Sequence, residues 1–189
     1  MSSFSASTKR VAAVTAALSI VGVSSLAWAG YQKTGTASIA FHAGTNAEVT
    51  IDGTSNDLSV ADDGTTVTFT APVASLKTGI DLRDTHLRKY LEAEKYPTVT
   101  LSIVKGELKY PDDGKSLSSD IGSSVTLHGT KKYEKVSYSL ARSGDTYTVT
   151  VKGLTLKLQD YGIAQPSFSG VKVNQGITVD VTASVKDVK

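Results

Sequence analysis

The chain contains no cysteine, so neither a disulfide framework nor a thiolate metal centre is available to it, and no cysteine can be lipid-modified at a processing site. Aromatic residues make up only 7% of the sequence, with a single tryptophan and a single methionine. Both of these, Trp28 and Met1, fall in the first 29 residues. There are three histidines, and none forms an H-x-H or H-E-x-x-H arrangement, so the sequence offers no metal-binding pattern. A G-x-S-x-G nucleophile elbow is also missing. Serine and threonine are abundant, but in alternating segments they belong on solvent faces, and nothing marks one of them as activated.

The first 29 residues have the layout of a secretory signal peptide. Lys9 and Arg10 supply a positive start, Val11 to Val23 a short apolar stretch, and Ala27-Trp28-Ala29 a small-residue cleavage site. The apolar stretch is too short for a membrane span. The expected domain organisation is therefore a signal peptide over 1–29 and one β-domain over 30–189, placed in the periplasm or, as the alternative, fully secreted. Loss of Lys9 and Arg10 takes twenty basic residues to eighteen, against eighteen acidic ones. A neutral mature chain argues against nucleic acid as a partner, since phosphate binding needs a basic surplus. It leaves a homodimer open.

What the chain has in quantity is alternation. Ile39 and Phe41, Val67 and Phe69, and Val99, Leu101 and Ile103 each share one face, with Thr or Ser between most of them. The same period continues through Val125 and Leu127, through Val136, Tyr138 and Leu140, and through Tyr147, Val149 and Val151. Leu154, Leu156 and Leu158 follow, and Ile177 to Val185 closes the series. Half-buried strands of this kind define an antiparallel sheet. Turn signals at Asp62-Asp63-Gly64, Pro111-Asp112-Asp113-Gly114 and Ser143-Gly144-Asp145 sit between the runs at hairpin spacing.

Only one segment has helical spacing. From Asp84 to about Glu92, Leu87, Tyr90 and Leu91 fall at i, i+3 and i+4, with Asp84 as the expected cap and Pro97 as the stop. The expected fold is all-β, an extended antiparallel eight-stranded lipocalin-like barrel with one short helix. A two-sheet sandwich fits the same alternation.

Several short pieces then recur in a telling order. Val73 to Pro97 carries an apolar strand end, Thr78-Gly79, Arg83-Asp84, His86-Leu87 and Lys95-Tyr96-Pro97. Val125 to Lys132 reads VTLHGTKK, Asp160 to Ile163 reads DYGI, and a valine-rich strand ends the chain. In this order and spacing the chain resembles the YceI family. It departs from the family pattern at Tyr90 and Leu91, where a Phe pair is usual, at Leu101, where Phe is common, and at Leu158, in the place of an Arg.

The resemblance implies a lipocalin-like periplasmic barrel, not an enzyme, holding a polyisoprenoid or quinone-like molecule in an elongated apolar cavity. No catalytic residue, metal ligand or cofactor is expected beyond that bound lipophilic molecule. The inward faces nominate Phe41, Phe69, Leu87, Leu101, Leu127, Tyr138 and Tyr147 as cavity lining. Arg83 and Asp84 are either a structural pair, a helix cap plus an ion pair, or a polar pair at the cavity mouth. The rival reading is a structural or interaction protein with a packed core and no small-molecule ligand.

Overall fold

The computed structural model describes residues 30–188. The expected signal peptide lies outside the described residues. Ten strands and one α-helix follow each other along the chain: β1 (Gly30–Thr45), β2 (Thr50–Ser55), β3 (Ser59–Asp62), β4 (Thr66–Pro72), α1 (Asp81–Tyr90), β5 (Thr98–Val104), β6 (Ser116–Leu127), β7 (Thr130–Ser143), β8 (Thr146–Lys157), β9 (Ser167–Phe168) and β10 (Val171–Val188). All pairings between strands are antiparallel, and nine strands form one curled sheet in the order β2-β1-β10-β8-β7-β6-β5-β4-β3, with β9 attached to β10.

The continuous pairing removes the sandwich alternative. A single strand, β1, pairs with β10 along its length and with β2 along its second half, so the sheet never divides into two. At the other extreme, the first residues of β1 meet β3. Tyr31 donates its backbone N–H to the Asp62 carboxylate at 2.7 Å, and the Lys33 ammonium donates to the Leu58 carbonyl at 2.9 Å. Lys105 reaches the same Asp62 carboxylate at 2.6 Å. Burial alone would raise the Asp62 carboxyl, but the Lys105 ammonium and the Tyr31 and Gly64 N–H groups outweigh it and hold the group below the usual carboxylate range. The outer edge of β2 is covered in turn by Lys77, which exchanges two backbone hydrogen bonds with Thr54. Covered edges keep the sheet from pairing with other chains.

The strand count differs from the expected eight in two ways. The runs Tyr147–Val151 and Leu154–Leu158 belong to one passage of chain, β8 and the short turn after it, interrupted by a bulge at Lys152-Gly153 where the register to β10 shifts between Val179 and Val181. Gly153 takes φ +70°, which a bulge of this type requires, and donates its N–H to Asp180. One extra residue reverses which parity faces inward. That is why odd positions 147, 149 and 151 and even positions 154 and 156 are all buried. Strands β2, β3 and β9 were not expected, being short and rich in polar or exposed residues.

The interior has two unlike ends. At one, Tyr31, Tyr110, Tyr138 and Tyr147 pack with Val67, Ile103, Leu140 and Val185, leaving only about 20 Å³ of space. Tyr147 lies edge-on to Tyr31 and Tyr110 at centroid distances of 5.5 and 5.9 Å, the geometry aromatic pairs prefer. The other end is open and hollow, with α1 on its rim.

Candidate ligand cavity

The hollow end encloses about 510 Å³, within the range of small-molecule sites. Its wall is assembled from the inward positions of six long strands and the helix. β1 contributes Ile39 and Phe41, β4 Phe69, β5 Val99 and Leu101, β6 Val125 and Leu127, β8 Leu154 and Leu156, and β10 Val179 and Val181. Residues of this kind offer dispersion contacts and apolar burial, and little else.

Helix α1 closes part of the cavity at its mouth. Arg83, His86, Leu87 and Tyr90 lie at i, i+3, i+4 and i+7, one face of the helix, and all four line the cavity. Tyr90 fastens the helix to the segment opposite: its hydroxyl accepts from the Ser167 N–H at 3.1 Å and donates to the Ser167 carbonyl at 3.2 Å. The ring of His86 lies 5.1 Å from that of Phe168, closing the same gap. Around this opening sit Val49, Ile80, Leu82, Phe168 and Val171, five of the eight large hydrophobic side chains that the described residues expose.

The helix start differs from expectation. It begins at Asp81, with Ile80 at the cap position and no side-chain cap, and it ends at Tyr90 rather than Glu92. Asp84 falls in the first turn, not before it. Its carboxylate is buried and turned back onto the incoming loop, accepting from the Thr78 N–H and the Thr78 hydroxyl, both at 2.7 Å, with Lys77 at 3.7 Å. The Thr78 hydroxyl and N–H, with weaker help from Lys77 and Arg88, hold this carboxyl below its usual range despite burial. The expected Arg83–Asp84 ion pair does not form. Successive helical side chains diverge by about 100°, so Arg83 faces the cavity while Asp84 faces Thr78.

Of the expected lining residues, Phe41, Phe69, Leu87, Leu101 and Leu127 border the cavity. Tyr138 and Tyr147 do not. They belong to the packed end, where the Tyr138 hydroxyl accepts the Lys109 N–H at 2.9 Å. Their side chains point inward as alternation requires, but at the wrong height along the barrel. Leu154, Leu156, Val179, Val181 and His86 were not nominated, although the parity switch after Val151 already marked the first two as inward.

The histidines are far apart in role. His42 pairs with Asp52 at 2.7 Å on an exposed strand face, and His86 sits at the mouth. His128 takes φ +52° in a two-residue hairpin turn, donates through Nδ1 to the Tyr161 carbonyl at 3.1 Å and places Nε2 3.4 Å from Glu92. Its neighbour Gly129 lies so close under the Tyr96 ring that a Cβ there would collide with it. Among the described residues no group of three His, Asp or Glu side chains converges to hold a metal ion.

A curled antiparallel sheet, packed at one end and hollowed into a large apolar cavity at the other, defines a lipocalin-like barrel. The chain belongs to the YceI family: the model of the YceI-like domain matches residues 28–185. The fold is shared with a polyisoprenoid binding domain from Saccharophagus degradans implicated in plant cell wall breakdown, at 18% identity over 84% of this chain and 98% of that one, with a TM-score of 0.69. It is shared also with BcnA of Burkholderia cenocepacia (17% identity, 78% and 95% covered, TM-score 0.61) and with the YceI protein of Campylobacter jejuni (19% identity, 74% and 86% covered, TM-score 0.54). No curated protein matches the chain.

Proposed function

We propose that this protein is an exported carrier or reservoir that binds a lipophilic molecule, a polyisoprenoid tail or a quinone-like relative of one, in the barrel cavity, and that it works in the periplasm by binding rather than catalysis. The observation that carries this reading is the cavity itself, about 510 Å³ lined mainly by aliphatic side chains and three Phe rings and opening beside α1. Each CH₂ transferred from water to such a wall contributes about 0.8 kcal/mol, so a few isoprene units outweigh an association cost of roughly 4–15 kcal/mol. No polar signature is needed for such a site, which accords with the silence of the sequence on motifs. Membership of the YceI family and the polyisoprenoid-binding name of a structural neighbour support the same ligand class. An interior filled throughout, as the structural rival requires, describes only the tyrosine end.

Native mass spectrometry of residues 30–189, purified from the exported pool of its own cell, tests the proposal. The expected result is an adduct that partitions into organic solvent on denaturation and fragments as an isoprenoid. A bare protein mass that does not change on exposure to quinones and polyprenyl lipids would overturn it.

A further inference from the structure

We infer that the ligand carries an oxyanion head group, a phosphate or a carboxylate, and that Arg83 receives it at the cavity mouth; this deepens, and rests on, the reading of the cavity as a lipophilic site. The observation is an unbalanced charge. Arg83 is the one charged side chain among the described residues that line the cavity. It is half-buried on the inward face of α1, and a guanidinium stays protonated at every physiological pH.

No carboxylate of the described residues neutralises it. The ion pairs of the chain join His42 to Asp52, Lys77 to Asp84, Lys95 and His128 to Glu92, Lys105 to Asp62, Lys115 to Asp112 and Lys135 to Asp120. Its neighbour Asp84 is committed to Thr78. Asp81, exposed two positions earlier on the helix, does not share its face. The Arg83 side chain therefore borders an apolar volume with no carboxylate of the described residues paired to it, and phosphate and carboxylate are the groups that fit a guanidinium fork with two parallel hydrogen bonds.

The surroundings agree. Other donors on the lining include His86 on the same helix face and Ser167 and Ser169 on the facing turn, and these two segments also carry the exposed Leu82 and Phe168. Most of the polar lining residues, Thr100 on β5 apart, thus lie on segments around the opening, while the wall beyond it is built mainly from Leu101, Leu127, Leu156 and their neighbours. An amphiphile would enter tail first and leave its anion on Arg83. A neutral alcohol or quinone of the same tail would bury the same carbon and leave the guanidinium to water.

The test is calorimetric titration of residues 30–189 with geranylgeranyl monophosphate and with geranylgeraniol, which share one tail. Oleate against oleyl alcohol repeats the comparison with a carboxylate and so tells the two head groups apart. Wild type is expected to prefer an anion over its matched alcohol by roughly ten- to a hundredfold, the strength of a charged hydrogen bond shielded from bulk water. In Arg83→Gln that preference should vanish with alcohol affinity unchanged, and Arg83→Lys should keep part of it. Equal affinity of wild type for anion and alcohol in both pairs would overturn the inference without any variant. So would an equal loss for both in a folded Arg83→Gln protein. Failure of all four probes to bind wild type would instead overturn the lipophilic reading beneath it.

Discussion

The two ends of this barrel are made by the same alternating strands and differ in what the inward positions carry. At the closed end the inward residues of β1, β7 and β8 are Tyr31, Tyr138 and Tyr147, and with Tyr110 they fill the interior to within about 20 Å³. Higher up the same strands or their neighbours present Ile39, Phe41, Leu154 and Leu156, and the interior empties to about 510 Å³. The circumference of the sheet is set by its strands. Residue volume therefore decides where a barrel is core and where it is cavity. At both ends polar groups are paired within the protein, through Asp62, Lys105 and the Tyr138 hydroxyl at the closed end and through Asp84 and the Tyr90 hydroxyl at the open one. The open end leaves Arg83 without such a partner.

The comparison can be broken most sharply with two leucines of equal burial. Leu140, 2% exposed, is embedded at the closed end, and Leu156, 3% exposed, borders the cavity. Leu140→Ala should cost about 3–5 kcal/mol, since it opens a void in a filled interior. Leu156→Ala should cost roughly half as much, because one side of that side chain already faces empty space and has few contacts to lose. Urea unfolding of both variants measures the difference. Equal losses would mean that the two ends are packed alike.

A smaller effect concerns the carboxylates that anchor each end. Asp84→Ala frees the Thr78 N–H and hydroxyl and should cost about 1–3 kcal/mol, with amide exchange rising first in α1. Both Asp62 and Asp84 are held below their ordinary range in the folded protein. Their stabilisation is therefore fully present above the unfolded carboxylate pKa of about 3.9 and is lost as pH falls through the lower folded values. Unfolding followed between pH 6 and pH 2 should show wild type losing stability at the acid end of that range and Asp84→Ala losing less. A variant with the wild-type pH dependence would remove Asp84 from this account.

Much of this architecture was legible in the chain. The inward residues of β1, β4 to β8 and β10 follow from period two, and the three turn signals do lie between strands. What period two does not carry is height. Tyr138 and Tyr147 were correctly read as inward and wrongly placed in the cavity, because depth along a barrel depends on register between strands, including ones distant in sequence: β10 sets Tyr147 opposite Val185 and Tyr31 opposite Asp187. Strands β2 and β3 escaped notice because they are held by edge pairing and by Asp62 rather than by an apolar face of their own. The helix start was missed by three residues for a related reason. Asp84 looked like a cap, but its carboxylate serves the loop before the helix from inside the first turn.

The claim that binds these points is that the open end is a site and not a packing defect. Ala71, 1% exposed on β4, lines the cavity, and a tryptophan there would occupy it. Titration of wild type and Ala71→Trp with geranylgeraniol, followed by the rise in Tm that a ligand of the folded state produces, tests the claim directly. The account predicts a saturable rise in wild type and none in a folded Ala71→Trp protein. The same rise in both proteins would place binding elsewhere and contradict it.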